Sequence, residues 1–325
     1  MIVDFHVHST ASDGTFRPAE LAEKAVRGGF AALALTDHDN CNGVKELSSC
    51  PLSTSECNLH LIPGIELSIE PGSGFDKFHL LGLGVDPENP QLKALMKSIL
   101  DGRNARNQCI RANFLRLGID MPLDPRSRVV SEESASVPHS SFPVPRSSDI
   151  IARPHYARWL MEHGFARDIR DAFARYLLPE SPSATRCYEE RWHPAQEDAF
   201  AAIHAAGGVC VMAHPKYWRR TWKDADADFA AAERELAALR EKGLDGLEAL
   251  YQANTGEENV AFTRIATELG LLKTAGSDFH GANKPTIPLG MEVSESFIAP
   301  VLERLQPCTK HEPSRPVPRT YWIRT

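Results

Sequence analysis

Short apolar runs alternate with amphipathic stretches over most of the chain, which predicts strands followed by helices. The predicted strands lie near residues 2–8, 31–35, 59–65, 77–84, 209–212, 246–249 and 272–275. The predicted helices between them lie near residues 17–26, 44–47, 195–206, 225–242 and 257–269. Strands separated by helices are typically parallel, so about seven such units favour an α/β barrel. Periodicity alone leaves a TIM-like barrel and an open sheet as alternatives.

The middle of the chain has a different pattern. From Gln91 onward apolar residues recur at helical spacing, and further helices are predicted at 154–163 and 166–176. Residues 124–149 are rich in Ser and Pro and predict an irregular loop. We therefore predict a discontinuous barrel domain, and a helical insertion that covers the active site. The predicted barrel segments are 1–90 and 195–325, and the predicted insertion is 91–194.

Composition narrows the possible partners. The chain has 325 residues, a net charge of −7 and a pI of about 6.0, which argues against a large nucleic-acid surface. No apolar run approaches the roughly 20 residues that span a bilayer, and no signal peptide is expected. The seven cysteines are odd in number and lack CxxC spacing, which is typical of free thiols. These features predict a cytoplasmic protein with no membrane partner and no evident protein partner.

The first predicted strand ends in two histidines, His6 and His8. Residues i and i+2 of a strand point to the same face, so the two imidazoles would form a chelating pair at the strand end. Asp13 follows after a polar, glycine-containing turn that could return its carboxylate to the same place. Two imidazoles and a carboxylate suit a borderline divalent cation such as zinc, manganese or iron.

Other apolar runs contain or end in residues of the same kind. An isolated His-x-His is more often an incidental surface pair, but Asp278 and His280 repeat the spacing after another predicted strand. Such repetition is improbable in a purely structural chain, because buried charges need partners or metals. The candidate metal ligands at these positions are His6, His8, Asp13, His38, Glu66, His79, His214, Asp278 and His280.

These motifs together resemble those of the PHP (polymerase and histidinol phosphatase) family of metal-dependent phosphoesterases. The resemblance covers about residues 1–90 and 195–290, and its motifs are Asp4-Phe5-His6-Val7-His8-Ser9, Ser12-Asp13-Gly14, Thr36-Asp37-His38-Asp39, Gly64-Ile65-Glu66, His79, Ala213-His214-Pro215 and Gly276-Ser277-Asp278-Phe279-His280-Gly281. More narrowly, the chain is similar to the stand-alone subgroup that acts on nucleotide phosphoesters, whose helical insertion has a motif similar to Ala152-Arg153-Pro154-His155. The resemblance implies an α/β fold, a distorted (β/α)7 barrel with a helical insertion domain.

The family's arrangement, carried onto the matching positions, implies two or three divalent ions, Mn²⁺, Fe²⁺ or Zn²⁺. It assigns one ion to His6, His8, Glu66 and Asp278, a second to Glu66, His79 and His214, and a third to Asp13, His38 and His280. Glu66 would bridge two ions roughly 3.5–4 Å apart, and a shared water would lose a proton near neutral pH. The hydroxide would attack phosphorus, so no nucleophilic side chain is required.

Residues outside this ligand set are predicted to contact the substrate. Arg153 and His155 open a predicted helix, whose N-terminus favours anions, and both are predicted to be catalytic and to bind the substrate phosphate. His155 could instead protonate the leaving group, and the alternative for the motif is a structural contact. Arg158 and Lys216 are further phosphate-binding candidates. The residues interpreted as solvated helix-face charges are Arg103 and Arg106.

The predicted function is metal-dependent hydrolysis of phosphoric ester bonds, on nucleoside 3′,5′-bisphosphates or, as a 5′–3′ exonuclease, on short oligonucleotides. The acidic balance favours such small substrates over a long duplex, because extended binding needs many phosphate-neutralising Lys and Arg residues. One alternative enzyme is histidinol-phosphate phosphatase. Alternatives of other classes are a non-catalytic metal-binding PHP module, against which the intact ligand set counts, and an amidohydrolase-type C–N hydrolase.

Overall fold

The computed structural model describes residues 1–49, 59–70, 77–126, 150–217, 225–305 and 321–322. The strands in chain order are β1 (Ile2–Val7), β2 (Phe30–Leu35), β3 (His60–Ile69), β4 (Phe78–Leu83), β5 (Val209–Met212), β6 (Gly246–Tyr251), β7 (Leu272–Gly276), β8 (Met291–Glu292) and β9 (Tyr321–Trp322). The helices are α1 (Pro18–Arg27), α2 (Asn42–Ser49), α3 (Pro90–Arg116), α4 (Arg153–Glu162), α5 (Ile169–Ala172), α6 (Gln196–Ala205), α7 (Ala225–Glu241), α8 (Gly256–Glu268) and α9 (Glu295–Leu305). A π-helical turn, Phe173–Leu177, follows α5.

The chain divides into two compact units. Unit 1 comprises Met1–Ile99 and His193–Thr325, and unit 2 comprises Leu100–Trp192. Most of the predicted Ser/Pro-rich loop, residues 127–149, lies outside the described residues, as does most of the C-terminal tail. No helix in the described part of the chain is long and apolar enough to cross a membrane.

The strands of unit 1 form a nearly closed, barrel-shaped sheet. Their order is β7-β6-β5-β4-β3-β2-β1-β8, and β9 pairs with β3. The His8 N–H donates to the Phe279 carbonyl at 3.0 Å, and the Asp278 N–H donates to the His6 carbonyl at 2.9 Å. These bonds bring the ends of β1 and β7 together and nearly close the barrel. The predicted distorted α/β barrel is confirmed.

The parallel direction expected from strand–helix alternation is found where a helix separates the strands, and β4, which follows β3 without a helix, runs in the opposite direction. Strands β1 to β3 are parallel to one another, as are β5 to β7, but β4 is antiparallel to both β3 and β5. Only residues 70–77 separate β3 from β4, whereas a parallel crossover needs about a dozen residues or more. The reversal puts the start of β4 at the sheet edge where the parallel strands end.

Helices pack on the sheet through the apolar faces that the sequence predicted. Leu21 and Ala25 of α1 belong to the same buried cluster as Leu33 of β2, and Pro18 opens the helix within its first turn. Ile298 of α9 is buried with Phe5 of β1 in a second cluster. Each fully buried Leu, Ile or Phe contributes roughly 1.5–3 kcal/mol. This packing fixes the strands whose ends carry the candidate ligands.

Unit 2 has a separate hydrophobic core. Ile110 and Phe114 of α3 are buried with Tyr156 and Leu160 of α4. The rings of Phe114 and Tyr176 lie 5.8 Å apart between centroids. The helical character predicted for this part of the chain is therefore present in the described residues, and its helices enclose their own apolar interior.

Candidate metal centre

One buried carboxylate, that of Glu66, contacts five histidines. Its Oε1 lies 2.8 Å from His79 Nδ1 and 3.2 Å from His214 Nε2. Its Oε2 lies within 3.3 Å of a ring nitrogen from each of three others, His6, His8 and His38. Two oxygens that each face a different set of imidazoles are the geometry a bridging carboxylate requires. Glu66 is therefore the centre of the site.

Two further carboxylates complete the cluster. Asp13 Oδ1 lies 3.2 Å from His280 Nε2 and 3.8 Å from His8 Nδ1. Asp278 Oδ1 lies 3.4 Å from His8 Nε2 and 3.3 Å from His280 Nδ1. The groups whose ligand atoms all lie within 4.8 Å of one another are His8/Asp13/His38/His280, His6/His8/Asp278, His6/Glu66/His214 and His38/Glu66/His79. The structure thus brings together every one of the nine candidate metal ligands.

The sheet explains why residues so distant in sequence meet. His8, His214 and Asp278 follow the carboxyl ends of parallel strands, as predicted. The strand-end position predicted for Glu66 is wrong, because β3 continues to Ile69 and Glu66 lies within it. His79 lies near the start of β4, which reaches the same edge because β4 is antiparallel. Both exceptions therefore arise from the long antiparallel β3–β4 pair.

The backbone is strained at this edge. Asp39, His214 and Asp278 all have positive φ angles, of 57°, 27° and 59°. Such conformations cost a non-glycine residue on the order of 1–3 kcal/mol and concentrate at functional sites. At Gly276, an added Cβ would collide with the Glu248 carboxylate and with the His6 side chain. The chain therefore accepts unfavourable local conformations where they bring ligand atoms together.

Charge at the site is dominated by ionised carboxylates. Burial would raise the pKa of Glu66, but His38, His6 and His79 hold it well below its usual range. Burial is likewise outweighed at Asp278, whose pKa is lowered well below its usual range by His6 and His8. The converse holds at His8: burial alone would lower its pKa, but Asp278 and Glu66 raise it to about 9. The centre therefore attracts positive charge strongly.

A buried glutamate that the sequence analysis missed orients the first histidine. Glu248 of β6 is fully buried, and its Oε1 lies 3.0 Å from His6 Nδ1. Its Oε2 accepts the His214 N–H at 2.6 Å. A carboxylate behind a ligating imidazole fixes the proton on one nitrogen and frees the other for the metal. A charged residue inside an apolar strand was the available signal, the same one that identified Glu66.

Two aspartates fix the loops that carry the ligands. The Asp37 carboxylate accepts the Ser9 N–H at 2.8 Å and the Ser12 hydroxyl at 2.6 Å. The Asp4 carboxylate accepts the Ser277 N–H at 3.0 Å and the Ser277 hydroxyl at 2.5 Å. Asp4 is fully buried, which raises its pKa to about 6 despite these bonds. Each aspartate thus joins its own strand to the loop that follows a neighbouring one.

The second oxygen of Asp278 has its own partners. Oδ2 accepts the Tyr251 hydroxyl at 3.1 Å and the Lys284 ammonium at 2.5 Å. Oδ1 is thereby left to face the histidines. Lys284 was not identified from the sequence, and its position in a loop beyond the ligand motif carries no signal of this contact.

The donor set fits divalent metal ions. Among the described residues, three buried atoms of the cluster have no hydrogen-bond partner: Asp13 Oδ1, Glu66 Oε2 and His38 Nδ1. His6 Nε2 and His8 Nε2 face each other at 3.1 Å, an arrangement that two lone pairs tolerate only around a proton or a cation. Unsatisfied buried acceptors cost roughly 1–3 kcal/mol each, and a cation satisfies several at once. Mixed imidazole and carboxylate ligands suit zinc, iron and manganese.

The predicted substrate-binding residues of the insertion lie in unit 2. Arg153 begins α4, as predicted, and its Nη1 donates to the Leu177 carbonyl at 3.3 Å. The His155 imidazole accepts the Ala152 N–H at 2.9 Å and so caps the helix. Arg158 lies one turn further along α4 and is partly exposed. The substrate role of these residues stays a prediction.

The interpretation of Arg103 and Arg106 as solvated charges is wrong, since they are only 5% and 6% exposed. Burial, together with the positive charges of Arg103, Arg191 and Arg153, lowers the pKa of Arg106 to about 9. Among the described residues, Arg106 Nη2 and the buried Tyr156 hydroxyl have no hydrogen-bond partner. Helical spacing placed these arginines on one side of α3 but could not show that unit 2 covers that side.

Lys216 lies directly after His214-Pro215 but is engaged elsewhere. Its ammonium donates to the Ala253 carbonyl at 2.6 Å and to Glu258 Oε2 at 2.9 Å. A substrate phosphate would have to compete with that carboxylate. The predicted phosphate-binding role of Lys216 is untested, and the contacts it makes join the end of β5 to α8.

Comparisons with known proteins agree with this site. The sequence matches the PHP domain over residues 4–115. A 3′,5′-nucleoside bisphosphate phosphatase of Chromobacterium violaceum is 31% identical over 278 residues, which cover 86% of this chain and 87% of that protein. A 5′–3′ exoribonuclease of Haemophilus influenzae is 30% identical over 278 residues, covering 85% and 89%. The solved structure of an amidohydrolase from Chromobacterium violaceum, with bound sulfate and no metal, matches with a TM-score of 0.71 and 27% identity, covering 93% and 95%.

The barrel and its cluster of histidines and carboxylates define a metal-dependent hydrolase. The chain belongs to the PHP domain family, as the sequence resemblance predicted. The predicted enzyme class, a hydrolase of phosphoric ester bonds, is confirmed with it.

Proposed function

We propose that this enzyme hydrolyses nucleotide phosphoesters with two or three divalent ions, Mn²⁺, Fe²⁺ or Zn²⁺, held by the nine predicted ligands. The observation that carries the proposal is the convergence of these ligands around Glu66, whose two oxygens face different imidazoles. Ions bound there would supply a water of lowered pKa and would neutralise charge on the phosphoryl oxygens. The reaction would require no nucleophilic side chain.

The residues around the ligands prepare them for this role. Glu248 holds the proton on His6 Nδ1, so that the Nε2 lone pair faces the centre. Tyr251 and Lys284 hold Oδ2 of Asp278 and leave Oδ1 for a cation. The Lys284 ammonium also adds positive charge beside the centre, which favours the approach of a phosphate dianion.

The favoured substrate is a nucleoside 3′,5′-bisphosphate. A relative that is 31% identical over most of both chains is a phosphatase of such compounds. The sulfate in the similar solved structure is a tetrahedral dianion with the shape of a phosphate. The net charge of −7 also supports a small substrate over a long duplex. We place the reaction in the cytoplasm, where the free thiols of Cys41, Cys109, Cys187 and Cys210 would stay reduced.

A second candidate is 5′–3′ exonuclease activity on short RNA. It is favoured by the exoribonuclease that is 30% identical over 85% of this chain. The same attack on phosphorus would serve both reactions, and the difference lies in whether the attacked phosphate is a terminal monoester, which leaves a nucleoside monophosphate, or a diester that also carries the next nucleotide of an RNA chain. Comparing the two substrates with one preparation decides between them.

We further propose that the insertion supplies positive charge for the substrate, with Arg153 and His155 as its first contacts and Arg158 as a weaker one, and that Lys216 of unit 1 is a further weak phosphate contact. The buried arginines of unit 2 support this role, because Arg106 Nη2 and the Tyr156 hydroxyl are buried donors without a partner among the described residues. A phosphate oxygen would accept from both kinds of donor.

The test is phosphate release from adenosine 3′,5′-bisphosphate by protein loaded with manganese. We expect one phosphate per molecule, and a loss of activity on the order of a thousandfold or more in His8→Ala and Asp278→Ala. His163→Ala and Asp120→Ala are the matched controls, since both residues are exposed and lie in unit 2 outside the cluster. Both controls should retain activity.

Identifying the adenosine monophosphate isomer formed shows which phosphate leaves. Release of 5′-nucleotides from a short RNA at a higher rate would favour the exonuclease instead. If protein with at least two bound ions released phosphate from neither substrate, the nucleotide assignment would be wrong. Histidinol phosphate would then be the next substrate to measure. If it were not hydrolysed either, the remaining interpretation would be a metal-binding module without catalytic activity.

A further inference from the structure

An exposed tyrosine borders the metal centre. Tyr217 ends the short 3-10 turn Pro215–Tyr217 that follows β5, and its N–H donates to the His214 carbonyl at 3.0 Å. Its side chain is 56% exposed, whereas the neighbouring Tyr251 is only 3% exposed. An exposed aromatic ring next to buried candidate metal ligands leaves apolar surface available to a ligand.

Aromatic contacts fix the orientation of this ring. The Tyr217 and His214 rings lie 5.7 Å apart between centroids at an interplanar angle of 60°, and Tyr217 and Tyr251 lie 5.9 Å apart at 81°. Both are tilted or edge-type contacts, which leave part of the ring surface free for a stacked ligand. Tyr251 is itself anchored through its hydroxyl to Asp278. Tyr217 is therefore coupled to two metal-centre residues while most of it faces solvent.

Lys216 helps to hold the turn that carries Tyr217. Its ammonium is held by Glu258 and lies 5.7 Å from the centroid of the Tyr217 ring. These contacts hold the turn on one side. The turn thus has little freedom to move the ring away from His214.

We propose that Tyr217 is the stacking platform for the nucleobase of the substrate. A flat, exposed ring beside a phosphate-cleaving centre fits a ligand whose aromatic base is joined through one sugar to the reacting phosphate. Stacking on a single aromatic ring accepts every base, because each has a π-face. The proposal rests on the nucleotide substrate proposed above and adds that the base, and not only the phosphates, is recognised. It also predicts little preference among the bases.

The kinetic test compares adenosine 3′,5′-bisphosphate with ribose 3,5-bisphosphate, which lacks the base. For Tyr217→Ala we expect KM for the nucleotide to rise on the order of tenfold, with kcat little changed and with unaltered turnover of the base-free compound. Tyr217→Phe should stay within about twofold of the wild type, because it keeps the ring. Tyr217→Leu, which keeps apolar bulk without a π-face, should resemble Tyr217→Ala.

A binding measurement separates this proposal from the proposed function. Calorimetry with adenosine 5′-monophosphate and ribose 5-phosphate reports the contribution of the base even if neither bisphosphate is hydrolysed. Absence of turnover with tighter binding of the nucleotide would count against the proposed reaction and support the platform. Equal affinity of the wild type for both compounds would overturn the platform. If Tyr217→Ala lost the same activity on substrates with and without a base, Tyr217 would only support His214. That result would overturn the platform as well.

Discussion

The two units bury charge of opposite sign. In unit 1, Glu66, Asp13 and Asp278 are ionised carboxylates surrounded by imidazoles. In unit 2, burial and neighbouring arginines lower the pKa of Arg106 to about 9. Both clusters contain buried atoms without a partner among the described residues. Buried polar atoms without a partner are costly, and a ligand of the opposite charge would satisfy them in each cluster.

The two clusters differ in how far neighbouring residues hold their charged groups in place. The carboxylates of unit 1 are oriented by residues behind them: Glu248 fixes His6, and Tyr251 with Lys284 fixes Asp278. Cations at such a site bind tightly, since little ordering is needed when they enter. The Arg106 guanidinium has one side-chain bond, from Nε to Asn107 Oδ1 at 2.9 Å. We therefore expect metal effects on the enzyme to be large and anion effects to be smaller.

The largest expected effect is that of metal removal, and its pH dependence has a definite sign. In metal-free protein the pKa of His8 is raised from 6.5 to about 9, since Asp278 and Glu66 outweigh burial. The stability gained by protonating His8 is thus fully present below pH 6.5 and is lost as the pH rises through 9, by up to about 3 kcal/mol. Metal binding needs the deprotonated ring, so stabilisation by metal increases over the same range.

Urea denaturation of chelated and manganese-loaded protein between pH 6 and 9 measures both trends. The two stability curves should diverge as the pH rises, and manganese at a hundred times its Kd should add about 2.7 kcal/mol. His8→Gln should flatten the curve of the metal-free protein. Parallel curves for the two forms would contradict the idea that proton and metal compete for this histidine.

A smaller loss is expected from the orienting carboxylate. Glu248→Gln keeps the size of the side chain but removes the charge that fixes the proton on His6 Nδ1. We expect metal affinity to fall about 10- to 100-fold and activity to recover at high metal concentration. Metal titration monitored by activity measures both. Glu257→Gln, an exposed residue in the first turn of α8, is the control; a Glu248 variant that bound metal like the control would remove Glu248 from the centre.

Much of the metal centre could be predicted because its ligands lie where strands end, and strand ends can be read from apolar runs. His6 with His8, and Asp278 with His280, were found by their spacing alone. The family resemblance then implied the barrel, which periodicity had left open. Glu66 was selected as a candidate although its strand extends further, because a carboxylate in an apolar run is conspicuous whether or not the strand ends there.

The sequence could not predict the features of the structure that depend on contacts between distant segments. Lys284 reaches Asp278 through the path of a loop. The burial of Arg106 depends on how α3 and α4 pack within unit 2, and basic residues on a helix are more often solvated. Charge and spacing alone therefore gave the wrong environment for it.

The smallest expected effect concerns the arginines of unit 2. Arg106→Met removes a buried charge while keeping apolar bulk, so we expect it to stabilise the protein by about 1 kcal/mol or more in buffer without sulfate or phosphate. Sulfate should raise the melting temperature of the wild type and leave that of Arg106→Met nearly unchanged, since the anion would neutralise the same charge. Arg167→Met is the control, because Arg167 is 84% exposed and paired with Asp171. If Arg106→Met destabilised the protein and kept the full response to sulfate, the arginines would be structural, and only unit 1 would bury charge to bind a ligand.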